Sequence, residues 1–255
     1  MLSCRLLETT DTLKMTQPSK PTVLITGGAK RIGKAICLAL AKAGYKIALH
    51  YQHSHQEALG VLKQIKKNKG QCELFACDLS KDRATGQLIK MVKKTCPDLS
   101  ILVNNASIFE KSNIRSASLA SLNKHFDINF KAPFILTQEF TKACRNGLII
   151  NILDTNIVRN TGHHATYLLS KKALAELTKM SAVELAPSIR VNAVAPGLIL
   201  PPEGETAAYL DRRVKAIPLK RKGDAAQIAQ TVLFLIENPY VTGQIIFNDG
   251  GEHLI

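Results

Sequence analysis

The stretch TVLITGGAKRIG, residues 22–33, decides the fold of this chain. Its first five residues are β-branched or aliphatic and predict a buried strand over Thr22–Thr26. Glycines then let the backbone turn tightly, and small or apolar residues recur at helical spacing from Arg31 to Ala43. A strand, a glycine-rich turn and a helix in this order present free N–H groups at a helix N-terminus, where they can bind a phosphate.

The rest of the chain continues the alternation of short β-branched runs with longer amphipathic ones. This pattern predicts an α/β fold, a single-domain, doubly wound parallel sheet of the Rossmann type with helices on both faces. Ligands bind such sheets outside the carboxyl ends of the strands. The further predicted strands are Lys46–Tyr51, Cys72–Cys77, Ser100–Val103, Gly147–Leu153, Ile189–Val194 and Ile245–Asn248. The further predicted helices are Gln56–Lys69, about Lys81–Thr95, a long stretch before Gly147 and one beginning near Tyr167.

Length and composition favour one globular domain. The chain has 255 residues, 45% of them hydrophobic and 21% charged, and contains no apolar run long enough for a membrane helix. We expect a domain over residues 21–255 and a flexible N-terminal extension over residues 1–20, with Met15 as a possible second start. The six cysteines form no CxxC pair, which favours a reduced, cytoplasmic setting. The lack of a long apolar run leads us to expect no membrane partner.

The net charge of +14 admits an anionic partner. Most lysines, however, fall in predicted helices, where they are typical of a solvated outer face. No zinc-finger spacing, aromatic–basic RNA-binding pattern or basic tail accompanies them. We therefore expect no nucleic-acid partner. His163 and His164 lack a third ligand at suitable spacing, so we expect no metal site.

The end of the second predicted strand, His50-Tyr51-Gln52-His53-Ser54, bears on the choice of cofactor. A dinucleotide site usually keeps an acidic residue there for the ribose hydroxyls. A carboxylate would repel a 2′-phosphate, whereas hydroxyl, amide and imidazole donors can bind one. The absence of an acidic residue predicts NADPH rather than NADH, with Lys30 and Arg31 adding positive charge nearby.

Tyr167 and Lys171 form the candidate catalytic pair, and Asp154 follows the fifth predicted strand. Residues four apart lie on one face of a helix. A lysine ammonium beside a phenol is expected to lower the pKa of the phenol, which suits Tyr167 to donate a proton as a hydride arrives. A lone YxxxK would favour an ordinary polar pair on a helix surface.

Six motifs in order identify the chain as similar to the short-chain dehydrogenase/reductase family over Pro21 to about Leu254. They are TGGAKRIG, CDLS (Cys77–Ser80), NNAS (Asn104–Ser107), the Tyr167/Lys171 pair, APG (Ala195–Gly197) and DGG (Asp249–Gly251). The resemblance implies that Tyr167 is the proton donor, that Lys171 holds the nicotinamide ribose and that Asn129 supports a relay water. It implies further that Asp78 meets the adenine and Asn105 the adenosine ribose. The cofactor-binding set so implied is Gly27, Lys30, Arg31, Ile32, Tyr51, Gln52, His53, Ser54, Asp78, Leu79, Asn105, Ala106, Ser107, Tyr167, Lys171, Pro196 and Gly197.

Two departures from the common family pattern resemble the pteridine reductases and the bacterial dihydromonapterin reductases. Asp154 stands where most members carry a serine, and Arg31 replaces the middle glycine of TGxxxGxG. Phe109, two residues after Ser107, matches the aromatic residue that stacks the pterin in the former group. A carboxylate can accept a hydrogen bond from the pterin amino group, whereas a serine suits a carbonyl oxygen. The substrate-binding set so implied is Arg31, Ser107, Phe109, Asp154, Tyr167 and Leu198, and His53 stands where pteridine reductases usually have an arginine.

Three functions remain in competition. The first is an NADPH-dependent reductase of dihydrobiopterin, dihydromonapterin or dihydrofolate. The second is a carbonyl reductase such as a 3-oxoacyl-thioester reductase. The basic surface of this chain would suit the acidic carrier protein of such a substrate. The third is a non-catalytic NADPH-binding sensor. The resemblance also implies a homotetramer and a substrate lid over Leu198–Lys220.

Overall fold

One parallel sheet organises the part of the chain that the computed structural model describes, residues 20–201 and 207–255. Its strands are β1 (Thr22–Ile25), β2 (Lys46–Tyr51), β3 (Cys72–Ala76), β4 (Leu99–Asn104), β5 (Gly147–Ile152), β6 (Ile189–Pro196) and β7 (Ile245–Asn248). Their spatial order is β3-β2-β1-β4-β5-β6-β7, and every neighbouring pair is parallel. Strands β2 and β3 are added on one side of β1 and strands β4 to β7 on the other. The point between β1 and β4, where the order of strands reverses, is where doubly wound sheets bind ligands.

Helices cover both faces of this sheet. They are α1 (Arg31–Lys42), α2 (His55–Lys67), α3 (Asp82–Thr95), α4 (Leu119–Phe126), α5 (Ala132–Ala143), α6 (Ala165–Glu184), α7 (Ala207–Val214) and α8 (Ala225–Glu237). A π-helical turn, Asp127–Lys131, joins α4 to α5, and short 3-10 helices cover Thr155–Val158 and Glu252–Leu254. The predicted fold class is therefore confirmed.

Alternation along the strands divides the core into layers. Val23 and Ile25 of β1 pack on the side of α1, α2 and α8, whereas Leu24 packs on the side of α3 and α5. Successive strand residues point to opposite faces, so strands covered on both faces must be apolar throughout. This explains why TVLI is fully buried at the centre of the sheet.

Helices α7 and α8 were not predicted from the sequence, although α8 has a local signal. Its N-terminus carries a capping box, in which Asp224 accepts a hydrogen bond from the Ala226 N–H and Gln227 accepts one from the Asp224 N–H. The stretch DAAQ before an apolar run is the local pattern that predicts such a start.

Two expectations concern residues at the limits of the described chain. The predicted extension lies outside the described residues except for Lys20, and the predicted lid Leu198–Lys220 is described except for residues 202–206. No helix among the described residues is both long and apolar enough to cross a bilayer.

Candidate active site

A cleft of about 1190 Å³ opens at the carboxyl ends of the strands. Its lining takes residues from the segment after each of β1 to β6, as the handedness of the crossovers requires in a doubly wound sheet. All predicted cofactor-binding residues except Asp78 line it. All predicted substrate-binding residues line it too, and so do three of the four predicted catalytic residues: Asp154, Tyr167 and Lys171.

Close packing of backbone on backbone shapes the glycine-rich turn. A Cβ atom on Gly33 would lie 2.2 Å from the carbonyl oxygen of Gly27, so helix α1 can approach the turn only through a glycine. Asn105 donates from its side chain to the carbonyl oxygens of Thr26 at 2.8 Å and Gly27 at 3.1 Å. The turn is therefore fixed from β4, and the N-terminus of α1 faces a preformed cradle that suits a pyrophosphate.

His50 also holds this turn, a role that the sequence analysis did not assign. Its Nδ1 accepts from the Gly27 N–H at 3.2 Å, and its Nε2 lies 3.0 Å from the Cys77 carbonyl oxygen. Since one nitrogen must accept and the other donate, the ring is neutral with its proton on Nε2. Burial lowers the pKa of His50 to about 4, in agreement with a neutral ring.

Arg31 has a left-handed backbone, with φ of 51°, at the position where the family pattern has glycine. Its Nη2 donates to the carbonyl oxygen of Pro201 at 2.8 Å, which ties the start of α1 to the segment after β6. Lys30 forms an ion pair with Glu57 at 2.8 Å. The positive charge expected near the 2′-phosphate is thus present, but the charge of Lys30 is already paired with Glu57.

The end of β2 supplies no carboxylate to the described lining of the cleft, as the preference for a 2′-phosphate requires. Tyr51 bonds through its hydroxyl to Nδ1 of His55 at 2.7 Å. Asp78 is not among the described residues that line the cleft, and its Oδ1 accepts from both the N–H and the hydroxyl of Ser80. The contact of Asp78 with the adenine stays a prediction.

Tyr167, Asp154 and Lys171 come together at the end of β5. The Tyr167 hydroxyl donates to Oδ2 of Asp154 at 2.9 Å. Oδ1 of Asp154 accepts from the N–H and from the side-chain amide of Asn156, each at 2.8 Å. Lys171 is fully buried and donates from Nζ to the Ile152 carbonyl oxygen at 2.7 Å. Asp154 thus keeps one oxygen for the phenol and uses the other to fix its own orientation.

The expected lowering of the Tyr167 pKa is wrong for this structure. Burial, the charge of Asp154 and the hydrogen bond to its carboxylate together raise the pKa of Tyr167 well above its usual value. Burial lowers the pKa of Lys171 to about 8, although the charge of Asp154 opposes this change. The carboxylate of Asp154, in place of the usual serine, thus favours the neutral form of the Tyr167 phenol. The charge of Lys171 alone does not bring the pKa of Tyr167 back down.

Asn129 lies behind the site and does not line the cleft. Its Oδ1 accepts from the Ser107 hydroxyl at 3.0 Å and the Ile108 N–H at 2.9 Å. Its Nδ2 donates to the Ile108 carbonyl oxygen and to the Ser170 hydroxyl, each at 3.1 Å. An amide side chain has two donors and two acceptor positions, so the side chain of Asn129 is fully used in positioning the segment after β4. The support of a relay water by Asn129 stays a prediction.

An aromatic wall faces Tyr167. Phe109 stacks on His164 with ring centroids 4.2 Å apart and meets the Tyr167 ring edge-on at 4.7 Å, while 43% of it stays exposed. His163 and His164 line the cleft, which agrees with their interpretation as loop residues near the site. Among the described residues no group of three or more His, Cys, Asp or Glu side chains could hold a metal ion.

The far end of the cleft contains residues that the sequence analysis did not single out. Glu252, only 4% exposed, accepts from Nη2 of Arg213 at 2.8 Å and so joins the chain terminus to α7. Arg213 also donates to the Tyr209 hydroxyl at 3.2 Å. Arg159, directly after the 3-10 helix, also lines the cleft. No local pattern predicts the contact of Arg213 with Glu252, since it joins residues 39 apart in sequence.

Comparison with known proteins decides the family. Residues 27–253 match a family model described as enoyl-(acyl carrier protein) reductase. A short-chain dehydrogenase/reductase of Serratia marcescens superposes with a TM-score of 0.86 at 30% identity, over 93% of this chain and 100% of that chain. The chain belongs to the short-chain dehydrogenase/reductase family. The resemblance inferred from the six motifs is thereby confirmed.

Within this family the relatives differ in their named substrates. The 3-oxoacyl-[acyl-carrier-protein] reductase FabG of Staphylococcus epidermidis is 34% identical over 243 residues, 91% of this chain and 99% of the relative. The FolM alternative dihydrofolate reductase 1 of Brucella canis, complexed with NADP, is 36% identical, with a TM-score of 0.89 over 93% of this chain and 95% of that chain. The family therefore establishes an oxidoreductase, and the substrate has to be argued from the site.

Proposed function

We propose that this protein is an NADPH-dependent reductase of 7,8-dihydropterins (dihydrobiopterin, dihydromonapterin or dihydrofolate) to their tetrahydro forms. The observation that carries the proposal is the hydrogen bond from the Tyr167 hydroxyl to Oδ2 of Asp154. A carboxylate beside the proton donor suits a ring that presents an amino group and a basic nitrogen. The dihydrofolate reductase from Brucella canis among the solved relatives supports the same substrate class.

The residues of the cleft fit NADPH. The approach of α1 through Gly33 leaves a cradle for the pyrophosphate, Gln52, His53 and Ser54 would hold the 2′-phosphate, and Lys171 the nicotinamide ribose. The bound cofactor supplies the hydride for the carbon of the ring C=N bond. The exposed part of Phe109 would hold the pterin flat against it.

The chain itself supplies the proton. Tyr167 is neutral at pH 7, because its pKa is raised, and its proton can pass to the ring nitrogen as the hydride reaches the adjacent carbon. Lys171, one helical turn along α6, is the cation beside the phenolate that remains. Asp154 accepts from the pterin amino group, and the phenolate of Tyr167 regains its proton from solvent after the hydride has transferred.

NADPH oxidation by the purified protein tests the proposal, with dihydrobiopterin, dihydrofolate and an acetoacetyl thioester as alternative substrates and Asp154→Ser beside the wild type. We expect pterin turnover that falls at least about 100-fold in the variant, in line with the usual effect of losing a proton-handling group. Thioester turnover without pterin turnover would contradict the proposal.

A second candidate is a 3-oxoacyl-thioester reductase. The Staphylococcus epidermidis relative carries that name, and a net charge of +14 would suit an acidic carrier protein. Asp154 speaks against it, because a carboxylate cannot donate a hydrogen bond to a substrate carbonyl unless it is protonated. A non-catalytic NADPH sensor would bind the cofactor and turn over none of the three substrates.

The proposal extends to a cytoplasmic homotetramer of a single catalytic domain over residues 21–255. Light scattering of the purified protein tests the assembly, with a mass near four times 27.9 kDa as the expected result. A truncation that removes residues 1–20 should keep full activity.

A further inference from the structure

Arg159 lines the same cleft as Asp154 and Tyr167. It directly follows the 3-10 helix Thr155–Val158, and the wall between it and Asp154 includes Thr155 and Asn156. A 3-10 helix advances by about 2 Å per residue, so Arg159 lies on the order of 10 Å from Asp154 along this wall. A pterin ring held at Asp154 and Tyr167 would leave Arg159 within reach of a substituent of that ring.

The guanidinium of Arg159 lacks the partners that its neighbours have. Its Nε and Nη2 are buried, and among the described residues neither has a hydrogen-bond acceptor. Every other lysine or arginine side chain in the described lining contacts one: Lys30 with Glu57, Arg31 with the Pro201 carbonyl, Lys171 with the Ile152 carbonyl and Arg213 with Glu252. Buried donors without acceptors are costly and uncommon in folded proteins, so this pair requires an explanation.

The two unpaired nitrogens lie on one edge of the guanidinium. Their N–H groups run parallel and match the two oxygens of a carboxylate in a bidentate pair. The edge is shielded from water in this conformation, so the side chain must turn toward the cleft to use it. Among the acids of the described lining, Glu110 contacts Lys124 and Asp154 accepts from Asn156 and Tyr167. Glu252 contacts Arg213 through Oε1, whereas its Oε2 is buried without a partner among the described residues.

We infer that Arg159 binds a carboxylate on the substituent of the substrate, so that the preferred substrate is a dihydropterin with an acidic tail, of the dihydrofolate class. The inference rests on the proposed function and deepens it. Of the three pterins considered, dihydrobiopterin and dihydromonapterin have neutral hydroxylated substituents, and only dihydrofolate has the carboxylates that this edge would bind.

Esterification of the substrate tests the inference without altering the protein. Dihydrofolate and its glutamate dimethyl ester share a ring and nearly a shape but differ in charge. We expect the wild type to favour the free acid by about 10-fold or more in kcat/KM, chiefly through KM, as loss of a charged hydrogen-bond pair implies. Equal kcat/KM values for acid and ester would overturn the inference while leaving the proposed function intact.

Arg159→Gln and Arg159→Lys assign the effect to this side chain. The ratio of kcat/KM for the acid to kcat/KM for the ester should fall to near 1 in Arg159→Gln. It should be intermediate in Arg159→Lys, which keeps the positive charge but not the two parallel N–H groups of the guanidinium. Arg145→Gln, an exposed arginine at the opposite edge of the sheet, is the matched control and should keep the wild-type ratio.

The remaining outcomes are equally decisive. If Arg159→Gln lowers the kcat/KM of acid and ester by the same factor, Arg159 only positions the loop and the inference is wrong. If the wild type turns over no pterin at all, the proposed function fails and the inference falls with it. Thermal melting of each variant identifies a folding defect, in which case the acid-to-ester ratio of the wild type alone decides.

Discussion

Two carboxylates at the same edge of the sheet have opposite roles. Asp249, after β7, accepts from the Thr155 hydroxyl, from the Gly251 N–H at 3.0 Å and from the His253 N–H at 2.7 Å, and the His253 ring lies 2.9 Å away. Asp154, after β5, accepts from Asn156 on one oxygen and from Tyr167 on the other. One carboxylate is saturated by fixed donors, whereas the other faces a phenol whose proton can leave.

The contrast extends to protonation. Burial raises the pKa of Asp249, but hydrogen bonds from Thr155 and His253 outweigh this and lower it overall. At Asp154 the resolved pKa change is that of its partner: burial and the charge of the carboxylate raise the pKa of Tyr167. A carboxylate therefore stabilises the fold where donors surround it, and it supports chemistry where one donor is ionisable and reaches a cleft.

The largest expected effect comes from Tyr167→Phe, which removes the ionisable donor from Asp154. The kcat for the pterin should fall by about 10²–10⁴-fold, because a general acid contributes on that scale. Single-turnover absorbance of NADPH measures the chemical step, and cofactor fluorescence checks that binding persists. Full activity in this variant would remove the distinction drawn between the two carboxylates.

Asp249→Ala should act on stability rather than on chemistry. Removing the acceptor leaves several donors unpaired, so we expect the free energy of unfolding to fall by about 3 kcal/mol. Urea unfolding of this variant beside Asp154→Ala provides the comparison, because Asp154 has fewer donors and its loss should cost less. A larger loss of stability for Asp154→Ala would reverse the assignment.

Lys171, which lies beside Asp154 and not beside Asp249, should make stability depend on pH. Its pKa of about 8 lies below the usual value, so the unfolded chain binds its proton more tightly than the folded chain. Stability contributed by this group should therefore rise from about pH 8 to the unfolded pKa near 10.4. The melting temperature of the wild type should gain on that of Lys171→Met over this range. A gap that stays constant would show that the lysine is not held in a desolvated site.

Thr155→Val should have the smallest effect, since it removes a single hydrogen bond. That bond is the direct contact between the segment of Asp154 and the segment of Asp249. Thr155 follows Asp154 in sequence and donates to Asp249, so the loss is one buried hydrogen bond, worth about 1 kcal/mol. We expect a small fall in melting temperature and less than about a threefold change in kcat, since Asp154 keeps its own bonds to Asn156. A fall in kcat as large as that of Tyr167→Phe would mean that the two regions act as one unit.

Much of the site could be predicted because its motifs are local. The turn at Gly27 and Gly33 and the spacing of Tyr167 and Lys171 depend on backbone geometry that a short stretch of sequence determines. The predicted direction of the Tyr167 pKa failed for the opposite reason. It depends on burial and on a carboxylate thirteen residues away, whose distance of 2.9 Å only the packed chain establishes.

The amino-acid sequence by itself determined the alternation of strands with helices and the edge of the sheet where the cleft opens, and it supplied the candidate catalytic side chains. Periodicity and turn chemistry act over a few residues, so they can be read along the chain. The tertiary structure alone decided that Asp249 is surrounded by donors, that the side chain of Asn129 has all its hydrogen-bonding positions filled and that Arg159 has an unpaired edge. Hydrogen-bond satisfaction depends on atoms from distant segments, and the direction of each pKa shift depends on the same atoms.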